Sequence, residues 1–290
     1  MKLVVLVLLV LIAFAANSVL GRMAIGWGYM DAMGFGLLRL ASGAVALVLL
    51  VALQSARSRS KGAGETPVAG WKDALLGGAA LTLYMIGFCL AYQGLDAGLG
   101  ALVLFGVVQI SMFGWGALRG SRTTAGQVLG ALVAFAGLAY VVWPSGPVQV
   151  PPGAAALMTL SGLGWAAYTL LGRGAGDPLR ASAMNFVVAT LMMLPFMLFA
   201  AASLHASPEG ILLAVISGAV TSGMGYALWY RVLPELQPAV AATIQLSVPI
   251  IAILGGFVFL AEPVGLRLAL GTCAVLGGIA LVIWSAPRAR

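Results

Sequence analysis

AANSVLGR stands at residues 15–22 and AAYTLLGR at residues 166–173. Five of the eight positions agree: two alanines, a leucine, a glycine and an arginine. At the same offset of 151, Phe14 faces Trp165, Met33 faces Met184 and Phe35 faces Phe186. Near 138 the pairs are Gly87 with Gly225 and Tyr92 with Tyr230. At 141, VLGALVAFAGLAYVVW (128–143) aligns with ALGTCAVLGGIALVIW (269–284), and Gly130, Gly137 and Trp143 meet Gly271, Gly278 and Trp284. The chain is therefore written twice, over 1–144 and 153–290, with five helical segments in each half.

Composition says what solvent surrounds those segments. Of 290 residues, 8% are charged and 62% hydrophobic, and the mean hydropathy is +1.07. A soluble domain carries about a quarter charged residues, so a bilayer covers most of this surface. Apolar runs are continuous and about 20 residues long, which means spanning helices rather than barrel strands. Breaks at glycine, proline and charge clusters predict ten helices, at 2–21, 31–53, 71–93, 97–118, 125–143, 153–172, 181–203, 210–231, 239–261 and 266–284. The polar stretch 54–70 is expected to be a mobile loop. The run Leu3–Leu20 could pass for a signal peptide, but it ends in AANSVLGR, which matches an internal helix, and so reads as a retained first span.

With ten spans, Lys2, Arg57, Arg59, Lys61, Lys72, Arg119, Arg122, Arg173, Arg180, Arg231, Arg288 and Arg290 share one side. Arg22 and Arg267 fall on the other, and Arg39 lies inside the second span. The positive-inside rule places both termini in the cytoplasm. The same bias accounts for the basic pI without nucleic acid. Because five is odd, the second half enters the membrane from the opposite face, which carries Arg22 outside and its mate Arg173 inside. Inverted repeats are a physical basis for alternating access, with substrate held between the halves. The competing reading is a purely structural bundle left by duplication.

The order of these features resembles the drug/metabolite transporter superfamily, EamA type. Each half starts with a small-rich helix ending in LGR. Each has a fourth helix entered from an alanine-rich turn, LDAGLGALVLFGVVQ (95–109) and LQPAVAATIQLSVP (236–249). Glu262 and Pro263 follow the fourth helix of the second half, whereas Arg119 and Gly120 stand near that place in the first, and Val108 faces Pro249. The chain looks most like the YddG-like branch of aromatic amino acid exporters. The resemblance implies an all-α, ten-helix, multi-pass protein of the bacterial inner membrane that exports amino acids or similar metabolites. It also implies that the first, third, fourth, sixth, eighth and ninth helices line the axis.

All eight acidic residues sit at span ends or in loops, so a buried carboxylate is not expected to hold a substrate ammonium. The remaining candidates for substrate contact are polar and aromatic groups inside spans. Arg39 lies about 12 Å below the outer surface, as a substrate carboxylate partner or gate, or as an anchor for helix carbonyls. Asn17, Ser18, Gln109 and Gln245 are polar groups that need partners inside the bundle, as substrate contacts or as helix glue. Tyr84, Trp165, Tyr168 and Tyr226 lie too deep for an interfacial belt, and are read as a cavity wall or as core. Pro249 frees a carbonyl and is the candidate hinge. Cys89 and Cys273 read as packing residues, and His205 as a solvated loop residue. No metal or cofactor site is expected. HExxH, embedded aspartate pairs and a Walker sequence are absent, so neither an enzyme nor an ATP-driven pump is indicated. The other functions left open are an efflux carrier for another substrate class and a non-transporting assembly subunit. The oligomeric state is not set, and a monomer is compatible.

Overall fold

The computed structural model describes residues 2–59, 70–120, 124–143, 150–172, 176–200, 204–232, 235–236 and 244–285. The fold is all-α. Helices α1 (Lys2–Gly26), α2 (Ala32–Arg59), α3 (Trp71–Ala91), α4 (Ala97–Leu118) and α5 (Ala125–Val142) come first. α6 (Pro152–Gly172), α7 (Pro178–Ala200), α8 (208–232), α9 (Ser247–Leu260) and α10 (Leu266–Trp284) follow. Among the described residues, nine helices are long and apolar enough to cross a membrane, and α9 is a shorter apolar helix.

Boundaries differ from the sequence reading in instructive places. α1 runs five residues further, to Gly26, and the chain then turns through Gly28 at φ 72°. α2 begins where the Asp31 carboxylate accepts from the Gly34 amide at 2.8 Å, a cap on otherwise unpaired donors. It continues to Arg59, so the first part of the expected 54–70 loop is helix, while 60–69 lie outside the described residues. α7 carries Pro195 within it. In the ninth span, a helical turn at Ile244–Gln245 breaks at Leu246 before α9 starts. Pro249 stands in the first turn of α9 and has no N–H for the Gln245 carbonyl, so the chain breaks beside the proline instead of bending at mid-helix.

Glycines let the helix pairs approach. Gly130 of α5 lies against the Gly278 carbonyl of α10, and Gly278 lies against the Gly130 carbonyl. Shifting that contact by the 141-residue offset yields Gly271 with Gly137, and Gly271 does lie against the Gly137 carbonyl. The contact pattern is kept when the two helices exchange places by that offset. α2 and α7 meet through Gly36 on Met193 and Gly43 on Phe186. α3 runs antiparallel to α6, with Gly87 against Ser161 and Gly164 against Tyr84.

The same contacts orient the ends. Arg22 donates to the Tyr92 carbonyl at 3.0 Å, and Gly94 rests on Pro151 and Ala154 at the start of α6. Arg22 is thus at the opposite end of the bundle from Gly172, where α6 stops. Arg173 itself lies outside the described residues.

Candidate functional site

Arg39 is the eighth residue of α2 and is 1% exposed. Its Nη2 donates to the Tyr84 hydroxyl at 2.9 Å, and both Nε and Nη2 donate to Ser222 Oγ at 3.3 Å. The guanidinium lies 4.7 Å from the Phe88 ring centre and 5.5 Å from that of Tyr84. Nη1 is buried without a hydrogen-bond partner. Among the described residues, no carboxylate answers it. The seven described acidic residues all stand in the first turn of a helix or in the connections between helices. A cation at this depth costs about 2.5–3.5 kcal/mol on insertion scales, and the ring faces offset part of that.

Asn17 gathers a second cluster. Its Oδ1 accepts from Ser217 at 2.8 Å, Thr221 at 2.6 Å and Ser222 at 3.3 Å. Local winding explains the convergence. α8 is α-helical over Pro208–Val215, π-helical over Ile216–Met224 and α-helical over Gly225–Val232. In an α-helix, Ser222 would point about 140° away from Ser217. The wider π turn, at about 80° per residue, brings it back within roughly 50°. Gly218 and Gly223 make room, lying against the carbonyl of Arg39 and the side chain of Ala46. Ser222 then accepts from the guanidinium and donates to Asn17, which joins the two clusters.

The deep aromatics form the third part. Trp165 lies 5.0 Å from Tyr84, 5.4 Å from Tyr168 and 5.4 Å from Tyr226, and is stacked on the last at 28°. Phe14 meets Tyr226 edge-on at 5.7 Å. The Tyr168 hydroxyl bonds Ser182 Oγ at 3.1 Å. The repeat offsets relate these groups: Asn17 corresponds to Tyr168, Phe14 to Trp165, Ser222 to Tyr84 and Tyr226 to Phe88. One interface between the halves is polar where its mate is aromatic, and Arg39 binds one hydroxyl of each.

Arg39, Asn17, Tyr84, Trp165, Tyr168 and Tyr226 therefore come together as one constellation. Ser18 is buried but faces Tyr92. Gln109 and Gln245 are half-buried, and their side chains make no hydrogen bond among the described residues. α2 joins the constellation through Arg39, and α4 and α9 do not. The sequence reading missed Ser217, Thr221, Ser222 and Phe88. The signal was ISGAVTSG (216–223), where hydroxyls lie four and five apart between glycines.

Near the Arg22 end, Arg22 pairs with Asp96 at 3.6 Å and Glu262 at 3.5 Å. Both Glu262 oxygens accept from the Ala97 amide at 2.9 Å. This ties the start of α4 to α1 and to the chain after α9. Burial pushes the Glu262 carboxyl above its ordinary range, against the pull of the Ala97 amide and Arg22. His205 does more than face solvent: its Nε2 lies 3.0 Å from the Gly28 carbonyl and holds two loops together. A separate cleft of about 470 Å³ between α4, α5 and α6 is lined by apolar groups such as Val107, Ile110, Phe135 and Leu138, and includes none of the candidate residues.

An all-α, multi-pass membrane protein with paired inverted helices and a polar centre between them has the build of a carrier. The EamA-like transporter family model matches residues 153–284. A Pseudomonas aeruginosa protein, PA1977, whose function is uncharacterised, is 45% identical over 98% of this chain and 94% of its own. An uncharacterised transporter of Archaeoglobus fulgidus is 27% identical over 73% of this chain and 79% of its own. YwfM, an uncharacterised transporter of Bacillus subtilis, is 24% identical over 88% and 85%. A solved crystal structure matches 94% of this chain and 97% of its own, at TM-score 0.64 and 18% identity, which shows the same fold. The chain belongs to the EamA-like transporter family. It is a membrane transporter and not an enzyme.

Proposed function

We propose that the chain exports amino acids, aromatic and other apolar-leaning ones over a broad range, across the bacterial inner membrane by alternating access. Residues 1–144 and 153–290 are the two inverted halves, and both termini lie in the cytoplasm. Asn17, Ser18, Arg39, Tyr84, Gln109, Trp165, Tyr168, Tyr226 and Gln245 are the proposed substrate contacts, with Pro249 as the hinge. The YddG-like resemblance supports the aromatic preference.

One observation carries this reading: the rings of Tyr84, Trp165, Tyr168 and Tyr226 gather between the halves beside a buried guanidinium. Ring faces accept many apolar shapes and few of them by a directional bond, so selectivity is broad and affinity weak. The test is counterflow of radiolabelled amino acids in liposomes holding the purified chain, with and without a proton gradient. Exchange of phenylalanine, tryptophan and leucine is expected. Movement of drugs or other metabolites alone would make it an efflux carrier of another class, and movement of nothing would make it an assembly subunit.

A further inference from the structure

We infer that the site reads the acid group of its substrate and leaves the amine unread, so that its substrate class is apolar and aryl monocarboxylates, with amino acids as one branch. This rests on the exporter reading and narrows it.

The guanidinium of Arg39 is a complete cation with no counter-ion among the described residues. Tyr84 and Ser222 occupy Nε and Nη2, while Nη1 keeps two N–H groups in a buried place with nothing to accept them. A carboxylate supplies both the missing charge and the missing acceptor, and a charge-assisted bond of this kind is among the strong ones. The adjacent rings of Tyr84, Trp165 and Tyr226 suit an apolar body.

Among the described groups next to Arg39, nothing comparable awaits an ammonium. Asn17 Oδ1 already takes three hydroxyl donors, and Ser222 Oγ already takes the guanidinium. Trp165 and Tyr226 turn ring faces toward each other. An α-ammonium is one carbon from the carboxylate and so stands next to Arg39, where like charges repel at short range. The same repulsion argues against a metal cation among the hydroxyls around Asn17.

The test uses the full chain in liposomes at pH 7, with counterflow of radiolabelled phenylalanine and two unlabelled competitors. 3-Phenylpropionate has the acid without the amine, and 2-phenylethylamine has the amine without the acid. The acid is expected to compete within about threefold of phenylalanine and the amine about tenfold or more weaker. An amine that competes as well as phenylalanine, or an acid that does not compete, overturns the inference. In folded Arg39→Lys or Arg39→Gln protein, inhibition by the acid weakens and inhibition by the amine does not. If neither variant folds, the ligand series on the unaltered chain decides. Should phenylalanine show no counterflow at all, the exporter reading fails separately. Thermal stabilisation then decides: a melting midpoint raised by the acid and not by the amine upholds acid recognition, and any other pattern overturns it.

Discussion

The hydroxyls of Tyr84 and Ser222 bond one nitrogen, Nη2 of Arg39, at 2.9 and 3.3 Å. The two residues stand at equivalent places, 138 positions apart, in the two halves of the sequence. A single cation on α2 therefore ties α3 to α8. Tyr84→Phe removes one bond to the guanidinium and Ser222→Ala removes two longer ones to the same oxygen, and a bond to a charged group is worth about 1.5–3 kcal/mol. Because they share that partner, the double variant is expected to depart from additivity by about 0.5–3 kcal/mol. Melting midpoints of the four proteins in detergent measure this, and strict additivity would separate the two bonds.

Gly218 lies where the π segment crosses α2, and a side chain there would run into the Arg39 carbonyl and the Ser42 hydroxyl. Gly218→Ala is expected to destabilise by about 1–3 kcal/mol, as overpacking does. Gly277→Ala is the control. It has open space around it, and replacing a mid-helix glycine is expected to gain about 0.5–1 kcal/mol. Equal melting midpoints for the two variants would contradict the close α2–α8 approach.

Burial raises the Glu262 carboxyl above its ordinary value, despite the Ala97 amide and Arg22. The folded protein then binds this proton more tightly than the unfolded chain does. Its contribution is full below the ordinary carboxylate range and is lost as pH rises through the raised value. The unaltered protein should therefore gain stability relative to Glu262→Gln as pH falls through the raised value toward the ordinary carboxylate range, read as the difference in melting midpoints. The opposite slope would mean that the pair with Arg22 outweighs burial.

Leu204 and Gly176 lie in connections at opposite ends of the bundle, Leu204 beside His205 and Asp31 and Gly176 just after α6. Cysteines at the two positions, with Cys89 and Cys273 replaced, are expected to react with an impermeant thiol reagent from opposite faces. In intact cells only position 204 should be labelled. Labelling of both from one face would mean that α7 does not cross the membrane.

Much of the architecture was legible along the chain. Hydropathy marks each span locally, and Gly130 with Gly271 or Trp143 with Trp284 announce the duplication without any contact being known. The end positions of the acids and the depth of Arg39, Tyr84 and Trp165 follow from counting along helices. These are one-dimensional properties, because lipid imposes them on each segment separately. The partners were not legible. Ser222 meets Asn17 where nine residues of α8 wind as a π-helix, in the stretch where Gly218 lies against α2. Gln109 and Gln245 looked equal to Asn17 in the sequence, yet only Asn17 faces three hydroxyls about 200 residues away. Which polar groups meet is a property of how helices are wound and set against one another, and periodicity within a single helix does not contain it.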